Sequence, residues 1–115
     1  MQTADRPDVS HYTYRVTWSA EDGEFVATCV EFPSLSWLAS SQLEALTGLE
    51  DVIAETAADM ADQGEEVPQP LSERSYSGKF NLRVGESLHR RLAMEAAEEQ
   101  VSINQYVVRR LTAAR

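Results

Sequence analysis

Cysteine is nearly absent from this chain. Cys29 stands alone among 115 residues, so no disulfide can form within the chain. It reads as a small buried hydrophobe in a strand rather than as a nucleophile. Long hydrophobic runs are missing too. No apolar stretch approaches the roughly 20 residues that span a bilayer. The first ten residues, MQTADRPDVS, are polar and acidic, unlike a secretory signal. These absences predict a soluble, cytoplasmic protein with no membrane contact. Metal-ligand spacing is also lacking. His11 and His89 lie far apart and both read as solvated surface, so no metal or other cofactor is expected. Finally, basic residues are scarce in residues 1–77, which hold three (Arg6, Arg15, Arg74) against fifteen acidic ones, a balance of −12.

What is present is ordinary globular composition, with 43% hydrophobic and 8% aromatic residues, which argues against wholesale disorder. The charge reverses along the chain. Residues 78–115 hold seven basic and four acidic residues, a balance of +3, and the whole chain carries −9. The break follows VPQPLSERSYS, whose prolines, serines and charged positions read as a linker. The expected division is a first domain over 1–66, a linker over 67–77 and a second domain over 78–115.

In the first domain, HYTYRVTWS alternates and is rich in Tyr, Thr, Val and Trp, the pattern of a strand. Asp22-Gly23 signals a tight turn, and EFVATCVEF is the returning strand. PSLSWLA offers a third short strand. From Ser41 to about Gln63 the period becomes helical. Leu43, Leu46, Leu49 and Ile53 mark one face, continued by Ala57, Met60 and Ala61, while Glu44, Glu50, Asp51, Glu55, Asp59 and Asp62 line much of the rest. Gly64 is placed to end the helix. The expected unit is β-β-β-α, with a fourth strand near 71–77 left open. Asp22, Glu24, Glu31 and Glu44 do not converge as a two-metal nuclease site requires, so the chain is not expected to be an enzyme.

The second domain opens on GKFNLRV, with Lys79, Asn81 and Arg83 on one face of a strand and Phe80, Leu82 and Val84 on the other. A helix follows, with Leu88, Leu92 and Ala96 on one face. A second helix opens on Ser102 and Gln105, a capping box, with Ile103, Val107 and Leu111 as its stripe. One strand and two short helices bury too little apolar area to stand alone. A second copy is the simplest remedy: the strands pair antiparallel across a two-fold axis, Phe80, Leu82 and Val84 face a shared core, and Lys79, Asn81 and Arg83 face outward on a two-stranded ribbon. Such a ribbon fits the DNA major groove, where Arg and Lys pair with guanine and Asn with adenine. The start of the second helix offers free N–H groups near Ile103 and Asn104, suited to a phosphate oxygen.

The run KFNLRVGESLHRRLAMEAAEEQVSINQYVVRRL resembles the ribbon-helix-helix family of the Arc and MetJ repressors. That resemblance implies base reading by Lys79, Asn81 and Arg83, and a phosphate grip by Ser102, Ile103 and Asn104. The stretch YTYRVTWSAEDGEFVATCVEFPSLS, with Glu44 and Ala45, is similar to the HicB antitoxin family, whose N-terminal domain is a partial RNase H-like fold without nuclease activity. Glu21, Asp22 and Gly23 match its turn, and Pro33 and Leu35 its corner. Ser34 stands where that family usually has Gly, and WLASS lacks the family's Gly. Together the resemblances imply an α+β protein: a toxin-binding β-β-β-α(-β) domain joined to a dimeric ribbon-helix-helix domain. They imply an antitoxin that neutralises a basic, mRNA-cleaving HicA-like toxin and represses its own operon at an operator. The partners expected are operator DNA, the toxin and a second copy of the chain, with further pairing into a tetramer left open. The alternative is a stand-alone ribbon-helix-helix repressor whose N-terminal domain senses a small molecule. A third reading is RNase H-like catalysis, which metal-dependent RNA cleavage would mark.

Overall fold

Alternating β-branched and aromatic residues form the first two strands, β1 at Tyr14–Ser19 and β2 at Glu24–Cys29, which pair antiparallel with Val16 opposite Ala27. The turn between them spans four residues, not two. Gly23 takes the left-handed conformation (φ 66°) and its N–H donates to the Ser19 carbonyl at 2.8 Å. The Ser19 hydroxyl donates to the Asp22 carboxylate at 2.8 Å, so that acid serves the turn. β3, Ser36–Ala39, pairs antiparallel with β2 and completes a sheet of order β1-β2-β3. These features come from a computed structural model that describes residues 6–114.

α1, Gln42–Asp62, covers one face of the sheet. The Ser41 hydroxyl caps it by accepting the Glu44 N–H at 3.1 Å. Its C-terminus closes as a Schellman motif: the Glu65 N–H donates to the Met60 carbonyl, the Gly64 N–H donates to Ala61, and Gly64 has φ 76°. The buried face is Ala45, Leu49, Ile53, Ala54 and Ala57. Leu43 lies outside it at 72% exposure, and Ala61 is exposed as well. Leu43 sits six residues before Leu49, about 120° away around the helix, whereas Ala45 sits one turn before it. Val9, Tyr12, Ala27, Cys29 and Phe32 complete the core, with the Tyr12 and Phe32 rings edge to face at 5.1 Å. Cys29 is buried in β2.

No fourth strand forms among the described residues near 71–77; a single 3-10 turn occupies Leu71–Glu73. The stretch 67–73 is fastened to this unit rather than running free. Val67 packs on the core. The Tyr12 hydroxyl donates to the Pro68 carbonyl at 2.6 Å, and the Ser72 hydroxyl donates to the His11 carbonyl at 3.1 Å. The His11 imidazole pairs with Glu73, a bond that raises its pKa above the ordinary histidine value. Thus His11 is exposed yet partnered. Glu31 is the hub. Its carboxylate accepts the Leu71 N–H at 2.9 Å, the Thr13 N–H at 2.9 Å and the Thr13 hydroxyl at 3.0 Å. Partial burial pushes the Glu31 carboxyl up, but the N–H groups of Leu71 and Thr13 outweigh it and hold the pKa down at about 2.

The division into two compact units falls between Tyr76 and Ser77. The second unit contains α2, Glu86–Glu98, and α3, Ile103–Ala113. Their packing buries Ala96 and Tyr106. The α2 stripe reaches the core at Ala96. In α3 the buried residue is Tyr106, whereas Ile103 and Val107 are half-buried and Leu111 is exposed. The Tyr106 hydroxyl donates to Glu95 at 2.5 Å, and that bond raises the phenol's pKa, keeping it a donor. Between the helices, Gln100 adopts φ 60° and the Val101 N–H reaches the Ala96 carbonyl at 3.1 Å, a Schellman closure without glycine.

Candidate nucleic-acid interface

Residues 79–84 carry no regular secondary structure in the single chain. A strand is defined by its ladder, and a lone extended segment has none. The Ser77 hydroxyl accepts the Lys79 N–H at 3.1 Å, and Gly78 turns the chain with φ 85°. Gly85 ends the segment at φ 83° and stands at the start of α2.

Lys79, Asn81 and Arg83 are all exposed. Their side chains have no hydrogen-bond or ion-pair partner among the described residues, which leaves their donors free for a ligand. The opposite set is exposed too. Phe80 is 78% and Leu82 67% accessible, and Val84 is half-buried. Such exposure of large apolar side chains is costly in a finished surface. Leu82 and Val84 line a groove of about 390 Å³ with Leu88, Leu92, Val107 and Leu111. Arg91, Glu95 and Arg110 also line it. Two residues from each apolar stripe read from the sequence line this groove, while Phe80, Ala96 and Ile103 do not, and the charged residues there lay outside those stripes. Tyr106, one turn before Arg110, was likewise hidden by its polar hydroxyl.

α3 begins with the expected capping box. The Ser102 hydroxyl accepts the Gln105 N–H at 3.0 Å, and the Gln105 side-chain oxygen Oε1 accepts the Ser102 N–H at 3.1 Å. Ser102 is thus occupied as an acceptor, and its hydroxyl proton remains to donate. The N–H groups of Ile103 and Asn104 fall in the first helical turn, where no intrahelical acceptor exists. Asn104 is exposed. The geometry can therefore present three free polar side chains along one segment, and two backbone donors with one hydroxyl at a helix start.

In class, the chain is a small α+β protein in which a three-stranded antiparallel sheet is followed by helices. Residues 63–111 match the family model of the HicB family. The match begins just after α1 and covers the strapped stretch, residues 79–84 and the α2–α3 unit as far as residue 111, whereas the resemblance in the sequence covers most of 11–66. Neither a curated protein nor a solved structure matches the chain. No helix among the described residues is long and apolar enough to cross a membrane.

Proposed function

We propose that this chain is the antitoxin of a HicA–HicB type toxin–antitoxin pair, neutralising a basic, RNA-cleaving toxin and repressing its own operon. The observation that carries the reading is the HicB match over residues 63–111, most of which falls on the second unit, with its basic balance and apolar groove. Two copies of 79–84 would pair as antiparallel strands across a two-fold axis, burying Phe80, Leu82 and Val84 and giving each strand its missing ladder. Lys79, Asn81 and Arg83, doubled by symmetry, would then enter a major groove. The start of α3 would hold the backbone. The acidic first unit suits a basic partner, because complementary potentials speed encounter and select the right complex. In this reading the chain acts by binding in the cytoplasm and catalyses nothing.

The test is co-expression with the product of the neighbouring gene. The two proteins should co-purify, and RNA cleavage by the neighbour should stop when this chain is added. A neighbour that neither binds nor cleaves RNA removes the toxin half of the reading. Failure of the chain to retard duplexes from its own upstream region removes the operator half.

A further inference from the structure

Four ties fasten residues 67–73 to the first unit: Tyr12 to Pro68, Glu31 to Leu71, Ser72 to His11 and His11 to Glu73. Two of the four groups on the strap, the Pro68 carbonyl and the Leu71 N–H, are main-chain groups, so the attachment depends on the path of the chain and not on strap side chains alone. Glu31 is central because it joins the strap to the start of β1 through the Leu71 and Thr13 N–H groups. After Glu73 only residues 74–78 precede Lys79, a contour of about 17 Å at full extension. With 67–73 released, residues 67–78 would lie free, a contour of about 40 Å.

We propose that residues 67–73 are a strap, closed by Glu31, that keeps the acidic first unit on a short tether and thereby weakens binding of random DNA by the second unit. The proposal rests on the reading of residues 78–115 as DNA-binding. Its physical basis is screening. Charge–charge repulsion decays over about 10 Å at 0.1 M salt. A tether of about 17 Å is under two such lengths and keeps the −12 charge of the first unit within reach of the phosphates, and one of about 40 Å, some four lengths, lets that charge move out of range. Glu31 acts as a positioning residue, touching no DNA itself.

The experiment uses the full chain with three variants. Glu31→Gln removes the charged acceptor. Tyr12→Phe removes the bond to Pro68 without changing charge and keeps the ring that packs on Phe32. Glu55→Gln, at an exposed position on α1, is the control for loss of one charge. The near-ultraviolet signals of Trp18 and Trp37 report that the first unit stays folded. Amide exchange at Leu71 should quicken about tenfold in Glu31→Gln, since a charge-assisted bond is lost, and less in Tyr12→Phe. Glu55→Gln should match wild type. Affinity for a random duplex in about 50 mM salt should rise roughly three- to tenfold in Glu31→Gln over Glu55→Gln, and the two should converge near 500 mM.

Unchanged exchange at Leu71 in both strap variants overturns the strap. Faster exchange with a duplex affinity equal to that of Glu55→Gln overturns its effect on DNA. A wild-type chain that binds no duplex at any salt overturns the DNA-binding reading and this proposal together. That failure is distinguishable, because exchange at Leu71 is measured without DNA.

Discussion

Leu82→Ala tests the two-fold ribbon most directly. Leu82 is 67% exposed in the single chain and lines the groove. Burying two-thirds of a leucine side chain contributes roughly 1.5 kcal/mol. Truncation also leaves a cavity in the closed interface, which brings the loss to about 2 kcal/mol per chain. A two-fold axis counts each residue twice, so the dimer loses about 4 kcal/mol, or roughly a thousandfold in its dissociation constant. The single chain has less to lose, because Leu82 is already two-thirds exposed there. Sedimentation equilibrium of the full chain over nanomolar to high micromolar concentration measures the effect. Wild type should remain a dimer where Leu82→Ala is a monomer. Near-ultraviolet circular dichroism should show the first unit unchanged. Equal dissociation constants, within about threefold, would mean that Leu82 faces solvent in the assembled protein and that the argument from its exposure is wrong.

Four further outcomes are expected. Asn81→Ala should weaken operator binding ten- to a hundredfold, as the loss of a bidentate base contact costs about 1–3 kcal/mol, while random-duplex binding stays level in a parallel titration. Gly48→Ala should lower stability by about 1–2 kcal/mol in urea unfolding: helix propensity favours Ala by about 1 kcal/mol, but the added Cβ would lie 2.1 Å from Trp37 Nε1 and evict the indole from its packing. A more stable variant would contradict that balance. Gln100→Gly should raise the thermal midpoint of the second unit, corresponding to about 1 kcal/mol, because it removes a side chain from a left-handed position. The Glu31 contribution should be complete above pH 4.5 and drain away as pH falls toward 2, since its folded pKa lies below its unfolded value. The full shift would amount to about 3 kcal/mol, and solvent exposure reduces this to about 1–2 kcal/mol. Acid titrations of stability should therefore be flatter over that range for Glu31→Gln than for wild type.

Local chemistry was legible in the sequence. Ser102 caps the helix that it precedes, Gly23 turns the hairpin, and Gly64 ends α1. Each is a bond or a backbone angle that spans at most six residues, so a short window contains the whole cause. The charge reversal along the chain also falls where the two units divide, because charge is a property of composition alone.

The tertiary structure decided the rest. The stretch 67–73 has the composition of a linker, yet it is strapped to Tyr12, His11 and Glu31, which lie 40 to 62 positions away. Main-chain donors and acceptors carry no residue identity, so a side chain that satisfies one at long range leaves no pattern to read. Leu43 looks like core and is exposed, and Tyr106 looks amphipathic and is buried. Which side of a helix meets another element depends on the rotation at which that helix docks. That rotation is set where Trp37 lies against Gly48 and where Tyr106 reaches Glu95. Periodicity defines a stripe to within about one residue in either direction around the helix, and only contact between elements distant in the chain selects the residues that lose water.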